Sequence, residues 1–217
     1  MLKQLLTLSA LQLRLEAKSK NGFYAVILYI LSSIFIVYMA TKNIDDGKLW
    51  ISIFWVIQLF TCLNAASRSF QYSKGRDLYY YQLSGPRPFI ISKIFFNLIL
   101  MNVVFALSFF IFSLMLGNPF KDFINFYLIG ALGVSGLSSL LTMMSAITFK
   151  ADNNYTLMAI LSLPIMIPLL IVLVQTSNYI LEGESLYYCL KNILILGSLN
   201  VMNIILSYVL FPYLCTK

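Results

Sequence analysis

The chain has 217 residues, 60% of them hydrophobic and only 11% charged. A soluble domain averages about 45–50% apolar and about 25% charged, so one globule cannot hide this much apolar surface and lipid must solvate most of the chain. The formal net charge is +7 and histidine is absent, which excludes His-dependent catalysis and leaves the placement of the cations to separate a nucleic-acid partner from a membrane.

In chain order, residues 1–20 are expected to form an interfacial helix. At 100° per residue Lys3, Thr7, Arg14 and Lys18 share one face, with Leu2, Leu6, Ala10, Leu13 and Ala17 beside it, as in a helix lying along a membrane surface. Arg14 and Glu16 interrupt the apolar run, so it is not read as a cleavable signal. Six long stretches without a charged side chain follow, giving spans near 22–41, 49–66, 94–116, 124–149, 154–176 and 192–212. About 20 residues of α-helix cross about 30 Å of hydrocarbon. Open sheets cannot span lipid, and barrel strands are shorter and alternate in polarity. The expected fold is an all-α membrane protein, a single transmembrane domain over 1–217 with six spans and both termini on one side.

The charges orient it. With the N-terminus inside, eleven of the cations fall on inner segments and four on outer loops, while three acids lie inside and five outside. This is a positive-inside bias. The inner surface then carries +8 and the outer −1, so the basic excess answers to orientation and anionic lipid, not nucleic acid. Phe23, Tyr24, Trp50, Tyr155, Tyr179, Tyr187, Tyr188 and Tyr213, near span ends, are expected in an interfacial belt.

Several chemistries lack their residues. No span carries the acid, base or ion pair that coupled transporters keep at membrane depth. Cys62, Cys189 and Cys215 are isolated and make no metal-ligand spacing. No G-x-x-x-x-G-K-[ST] occurs, so the chain has no ATP-binding or catalytic motif of its own and reads as a non-enzyme.

Four features carry content. The inner loop, 67–93, holds Arg68, Lys74, Arg76, Asp77, Tyr79, Tyr80, Tyr81, Gly85, Pro86, Arg87 and Pro88. It reads either as a charge-anchored loop holding topology or as a short helix over 77–83 presented to a soluble partner, Tyr and Arg being common interface anchors. Span five contains Pro164 and Pro168, which deprive the carbonyls of Ile160 and Pro164 of their helical donors. The result is a fixed kink or a hinge. Span four presents Ala131, Ser135, Ser138, Ser139, Thr142 and Ala146 at helical spacing, a small-residue face for close helix approach. Asn200, Asn203 and Ser207 form a polar stripe on span six, of the kind used for interhelical hydrogen bonds.

Together these features resemble the membrane subunit of an ABC-2-type exporter and, more closely, the haem exporter protein B (CcmB) family. The likeness is sharpest at Ser145-Ala-Ile-Thr-Phe-Lys150, a basic turn, followed by Leu161-Ser-Leu-Pro164-Ile-Met-Ile-Pro168-Leu-Leu-Ile171. Arg68-Ser-Phe70, Gly75, Leu78, Leu83, Pro86 and Pro88 follow the family's inner-loop pattern, and Gly130, Gly133 and Gly136 its Gly-rich fourth span.

The resemblance implies a permease of cytochrome c maturation in a bacterial plasma membrane, with both termini cytoplasmic. Its partners would be an ABC ATPase subunit on the cytoplasmic side, a haem-handling membrane protein, a small membrane subunit and, indirectly, a periplasmic haem chaperone. Arg68, Arg76, Tyr79, Tyr80 and Arg87 would make the ATPase contact. Pro164 and Pro168 would bend, and Gly130, Gly133, Gly136, Asn200 and Asn203 would pack the helices. No cofactor is expected on this chain, with ATP on the ATPase and haem on partner proteins. Two other readings share the architecture: a permease exporting a lipid or another amphipathic substrate, and a membrane scaffold that does not move.

Overall fold

The computed structural model describes residues 20–41, 46–71, 85–120, 122–150, 155–184 and 186–215. In lipid only an element that satisfies its own backbone hydrogen bonds survives, and the long uncharged runs fold as helices. These are α1 (Lys20–Thr41), α2 (Gly47–Gln71), α3 (Pro86–Leu116), α4 (Phe123–Lys150), α5 (Tyr155–Leu181) and α6 (Leu186–Cys215). All six are long and apolar enough to cross a bilayer, and the described residues contain no strand. The chain is an all-α, multi-pass membrane protein. Residues 1–19 of the expected interfacial helix lie outside the described residues.

Several helices run past the expected spans, for reasons visible at their ends. Gly85 caps α3 with φ +81 and Pro86 is its first residue, a position where the missing N–H costs no hydrogen bond. With 31 residues, α3 reaches about 46 Å. That is well beyond about 30 Å of hydrocarbon. α5 continues to Leu181 and closes on Gly183, whose φ of +78 suits glycine. There the Glu184 N–H donates to the Tyr179 carbonyl and the Gly183 N–H to that of Ile180, both at 3.1 Å, the doubly bonded termination that left-handed caps allow. At the start of α2 the Asp46 carboxylate accepts from the Lys48 N–H at 2.9 Å, an N-cap.

α4 is the centre of the bundle. It packs against α2, α3, α5 and α6, and 72% of its spanning stretch is buried, against 17% for those of α1 and α6. Missing side chains make this possible. Phe105 of α3 rests where Gly130 has no side chain, and Leu173 of α5 does the same at Gly133. At Gly136 the vacated space is taken by Leu169, 2.8 Å from where a Cβ would stand, and by the Asn200 amide at 3.2 Å.

The two ends of the bundle are built differently. One end, the aromatic end, joins the start of α2, the close of α3 and the start of α4. Trp50 stacks on Phe54 at 5.3 Å between centroids and meets Phe112 edge-on at 4.7 Å, and Phe120 stacks on Phe126 at 4.1 Å. Trp50 departs from the expected belt, being 1% exposed. Its indole N–H donates to the Gly117 carbonyl at 2.9 Å, and that partner is what lets a tryptophan sit fully inside. Tyr24, Tyr179, Tyr187 and Tyr188 are exposed, whereas the side chains of Phe23, Tyr155 and Tyr213 lie outside the described residues. At the same end the Trp55 indole donates to the Ser177 hydroxyl at 3.0 Å. Lys48 pairs with Glu182 at 3.1 Å, and both are solvent-facing, so the pair adds little.

Overpacking tests the close approach of α4 and α5. Gly133→Val drives a branched side chain into Leu173 and should cost about 1–3 kcal/mol of stability, read as a lowered midpoint of thermal unfolding in lipid nanodiscs. Adding Leu173→Ala should recover part of the loss. A Gly133→Val protein that melts like the parent would falsify this contact.

Candidate functional site

Away from the aromatic end the interior carries polar side chains among its apolar ones. Asn97 of α3 donates through Nδ2 to Thr142 Oγ1 of α4 at 2.8 Å, and Asn102 of α3 to Ser135 Oγ at 3.2 Å. The Ser145 hydroxyl reaches the Ala66 carbonyl of α2 at 3.3 Å. From α6, Asn200 Nδ2 donates to the Leu132 carbonyl at 3.1 Å as well as to Leu196 of its own helix at 2.9 Å. Such bonds hold helices together where lipid offers no alternative partner. Asn203 and Ser207 are also buried, and the Ser207 hydroxyl donates to the Asn203 carbonyl at 2.7 Å within α6.

The end opposite the aromatic cluster, the basic end, is held by a smaller group. Phe89 of α3 stacks on Phe211 of α6 at 6.0 Å, with Ile90, Ile94 and Ala146 beside them. Arg87 is exposed, and its guanidinium carbon stands 5.3 Å from the centre of the Tyr208 ring. That cation–π contact ties α3 to α6. Lys93, read from sequence as a loop cation, lies inside α3 and is 5% exposed. Helix α3 starts earlier than the expected span, which draws Lys93 into the packed region.

Of the five residues expected to meet an ATPase, Arg87 is therefore the one whose side chain has a described position. Arg68 lies in the last turns of α2 with its side chain outside the described residues, as are Arg76, Tyr79 and Tyr80 entirely. The helix-packing residues come together: Gly136 and Asn200 meet across α4 and α6, while Gly130 and Gly133 receive α3 and α5.

Pro164 and Pro168 both lie within α5, which runs as one helix through them. Both face outward from the bundle, while Ser162, Met166, Leu169 and Leu173 face in. Cys62 and Cys189 are buried free thiols, and among the described residues no three of Cys, Asp and Glu gather as metal ligands. What the described side chains offer is helix packing, interhelical hydrogen bonding and one exposed cation at the basic end.

Set against known families, the chain matches the model described as CcmB protein over residues 3–213. It belongs to the CcmB family. The match runs from before α1 into the last turn of α6. No curated protein matches the chain. CcmB proteins are the membrane component of a haem-export ABC transporter of cytochrome c maturation, working in a complex with other Ccm proteins.

The α4–α6 bond is open to direct measurement. Asn200→Ala removes the donor to Leu132 and should lower the unfolding free energy by about 0.6 kcal/mol, the average for interhelical hydrogen bonds in membranes, and by no more than about 1.7 kcal/mol. Unfolding in mixed micelles reads it, and no loss would show that Asn200 holds nothing across the interface.

Proposed function

We propose that this CcmB chain is the permease subunit that converts ATP hydrolysis by a separate ATPase into a rearrangement of its six-helix bundle, with release of a haem-loaded periplasmic chaperone as the output. The family match over residues 3–213 carries this reading. It is supported by the lack of any phosphate-binding loop in the sequence, which requires the energy to enter from another subunit. The basic end faces the cytoplasm of a bacterial cell under the positive-inside bias, with both termini there.

Arg68, Arg76, Tyr79, Tyr80 and Arg87 form the ATPase contact in this proposal, being residue types that anchor interfaces. A sequence without histidine lacks the commonest protein ligand of haem iron. Haem is accordingly carried by partners: the haem-handling membrane protein with its small subunit, and the periplasmic chaperone. The bundle's unequal ends favour motion at the basic one, since a broad aromatic cluster resists repacking more than the few side chains around Phe89 and Phe211. Pro164 and Pro168 supply the bend.

Two experiments test the proposal. Reversing Arg68→Glu and Arg76→Glu together should abolish co-purification with the ATPase while the bundle's thermal stability is retained. Persistence of the complex removes those residues from the contact. Pro164→Ala with Pro168→Ala should leave the complex assembled but slow ATP-dependent release of the chaperone, and unchanged release assigns the prolines to a static kink.

A further inference from the structure

Among the described residues, two side-chain oxygens in the middle of the bundle have no protein partner. Gln58 Oε1 of α2 and Ser138 Oγ of α4 are buried and unbonded, in residues with 0% exposure. In water such groups are solvated at no cost. In the apolar interior of a membrane bundle each dry polar group is expensive, so two of them on adjoining helices call for an explanation.

Their placement supplies one. Helices α2 and α4 are in contact and run in the same direction. Their register is marked near the basic end by the Ser145–Ala66 bond and near the aromatic end by Phe54 against Phe126 at 5.8 Å. Gln58 and Ser138 both fall between these marks. On α2, Gln58 shares a stripe with Phe54 and Cys62, and its Nε2 donates to Cys62 Sγ at 3.7 Å, which draws the amide along the helix toward the basic end. On α4, Ser138 shares a stripe with Ser135, Thr142 and Ser145, whose hydroxyls bond to α3 or to α2 or accept from them. The amide oxygen only accepts, whereas the hydroxyl both donates and accepts. The two do not bond each other.

We propose that the α2–α4 joint holds an ordered water molecule at mid-membrane, donating to Gln58 Oε1 and accepting from the Ser138 hydroxyl. A buried water needs two to four polar partners, and these two supply the minimum. Cys62 Sγ stands beside the site through its contact with the same amide. A water-mediated contact is nearly as favourable as a direct one and adapts to a change in separation. The joint between α2 and the central helix can therefore shift without losing its hydrogen bonds, unlike the aromatic end, where repacking breaks ring contacts.

Two measurements on the full chain in lipid nanodiscs test this. The first uses radiolytic hydroxyl-radical labelling, in which radicals arise from water itself, so that a buried side chain is modified only where water touches it. Cys62 is 0% exposed, and it should be labelled in the parent protein. The label should fall severalfold in the Gln58→Met, Ser138→Ala double variant. Absence of label at Cys62 in the parent, or equal label in both proteins, overturns the proposal, and absence is also the result if Gln58 and Ser138 bond directly. The second is a double-mutant cycle. Each single variant strands the water and the remaining group and should lower the unfolding midpoint by about 2–4 °C, while the double variant regains most of the loss. If instead each single substitution stabilises the protein and the effects add, the two oxygens are dry and the water is absent.

Discussion

Helices in a bilayer gain nothing from hiding apolar side chains from one another, since lipid tails are as apolar as leucine. Their association depends on how closely backbones approach and on the polar groups that approach brings together. Among the described residues that condition is met chiefly on one element. Gly130, Gly133 and Gly136 leave the surface of α4 open on successive faces, and Phe105, Leu173 and Leu169 fill the openings. Helices α3, α5 and α6 thereby reach the central helix, which α2 also contacts. The hydrogen bonds of Ser135, Thr142 and Ser145 follow from the same closeness, because short hydroxyl side chains span only a short gap. A bulky residue at any of these glycines would cost the contact and, with it, the alignment of the polar groups around it.

The bundle built on α4 is not uniform along its length. At the aromatic end the packing units are large rings held edge-on or stacked, and the Trp50 indole is tied to the turn at Gly117. Offset and edge-to-face ring pairs add to the area they bury and have preferred geometries, so this end resists small displacements. Towards the basic end the contacts are hydroxyls, amides and a few medium-sized side chains. Hydrogen bonds of that kind exchange partners within a turn of helix at small cost, as Asn102 and Asn200 show by sharing Nδ2 between a neighbour and their own backbone. The two ends are held by different kinds of contact, and the difference comes from residue chemistry.

The six spans were legible because charge punctuates them and lipid penalises any charge within them. The role of α4 was legible for a related reason: small residues at helical spacing have few uses in a membrane other than close approach. Trp50 was not. A tryptophan in the first turn of a span reads identically whether it faces the interface or the core, and its partner carbonyl at Gly117 is 67 residues away. Lys93 was misplaced because the sequence marks where charge stops and not where a helix begins; a proline pair at the start of α3 allowed the helix to begin two turns earlier. Gln58 is a single polar residue in an apolar run, and its proposed role depends on Ser138, which lies on another helix. Of the residues proposed to meet the ATPase, Arg68 falls in α2 and Arg87 in the first turn of α3, and the segment between them has no regular periodicity, so its sequence offers composition alone.

The prolines of α5 show how a break in a helix coexists with a packed interface. Each removes a donor, leaving the carbonyls of Ile160 and Pro164 without helical partners, and Ile160, Pro164 and Pro168 all face away from the bundle. The opposite face carries Ser162, Met166, Leu169, Leu173 and Ser177, all buried, with Leu169 and Leu173 seated at the glycines of α4 and Ser177 bonded to Trp55. The backbone is thus weakest on the side that packing does not hold. In the proposed motion, a bend opening on that side stretches no hydrogen bond at those two carbonyls and leaves the glycine contacts in place, with α5 still docked on the central helix. Had the prolines been set two residues later, at Met166 and Leu170, the same break would fall towards the core and every flexion would pull α5 from α4.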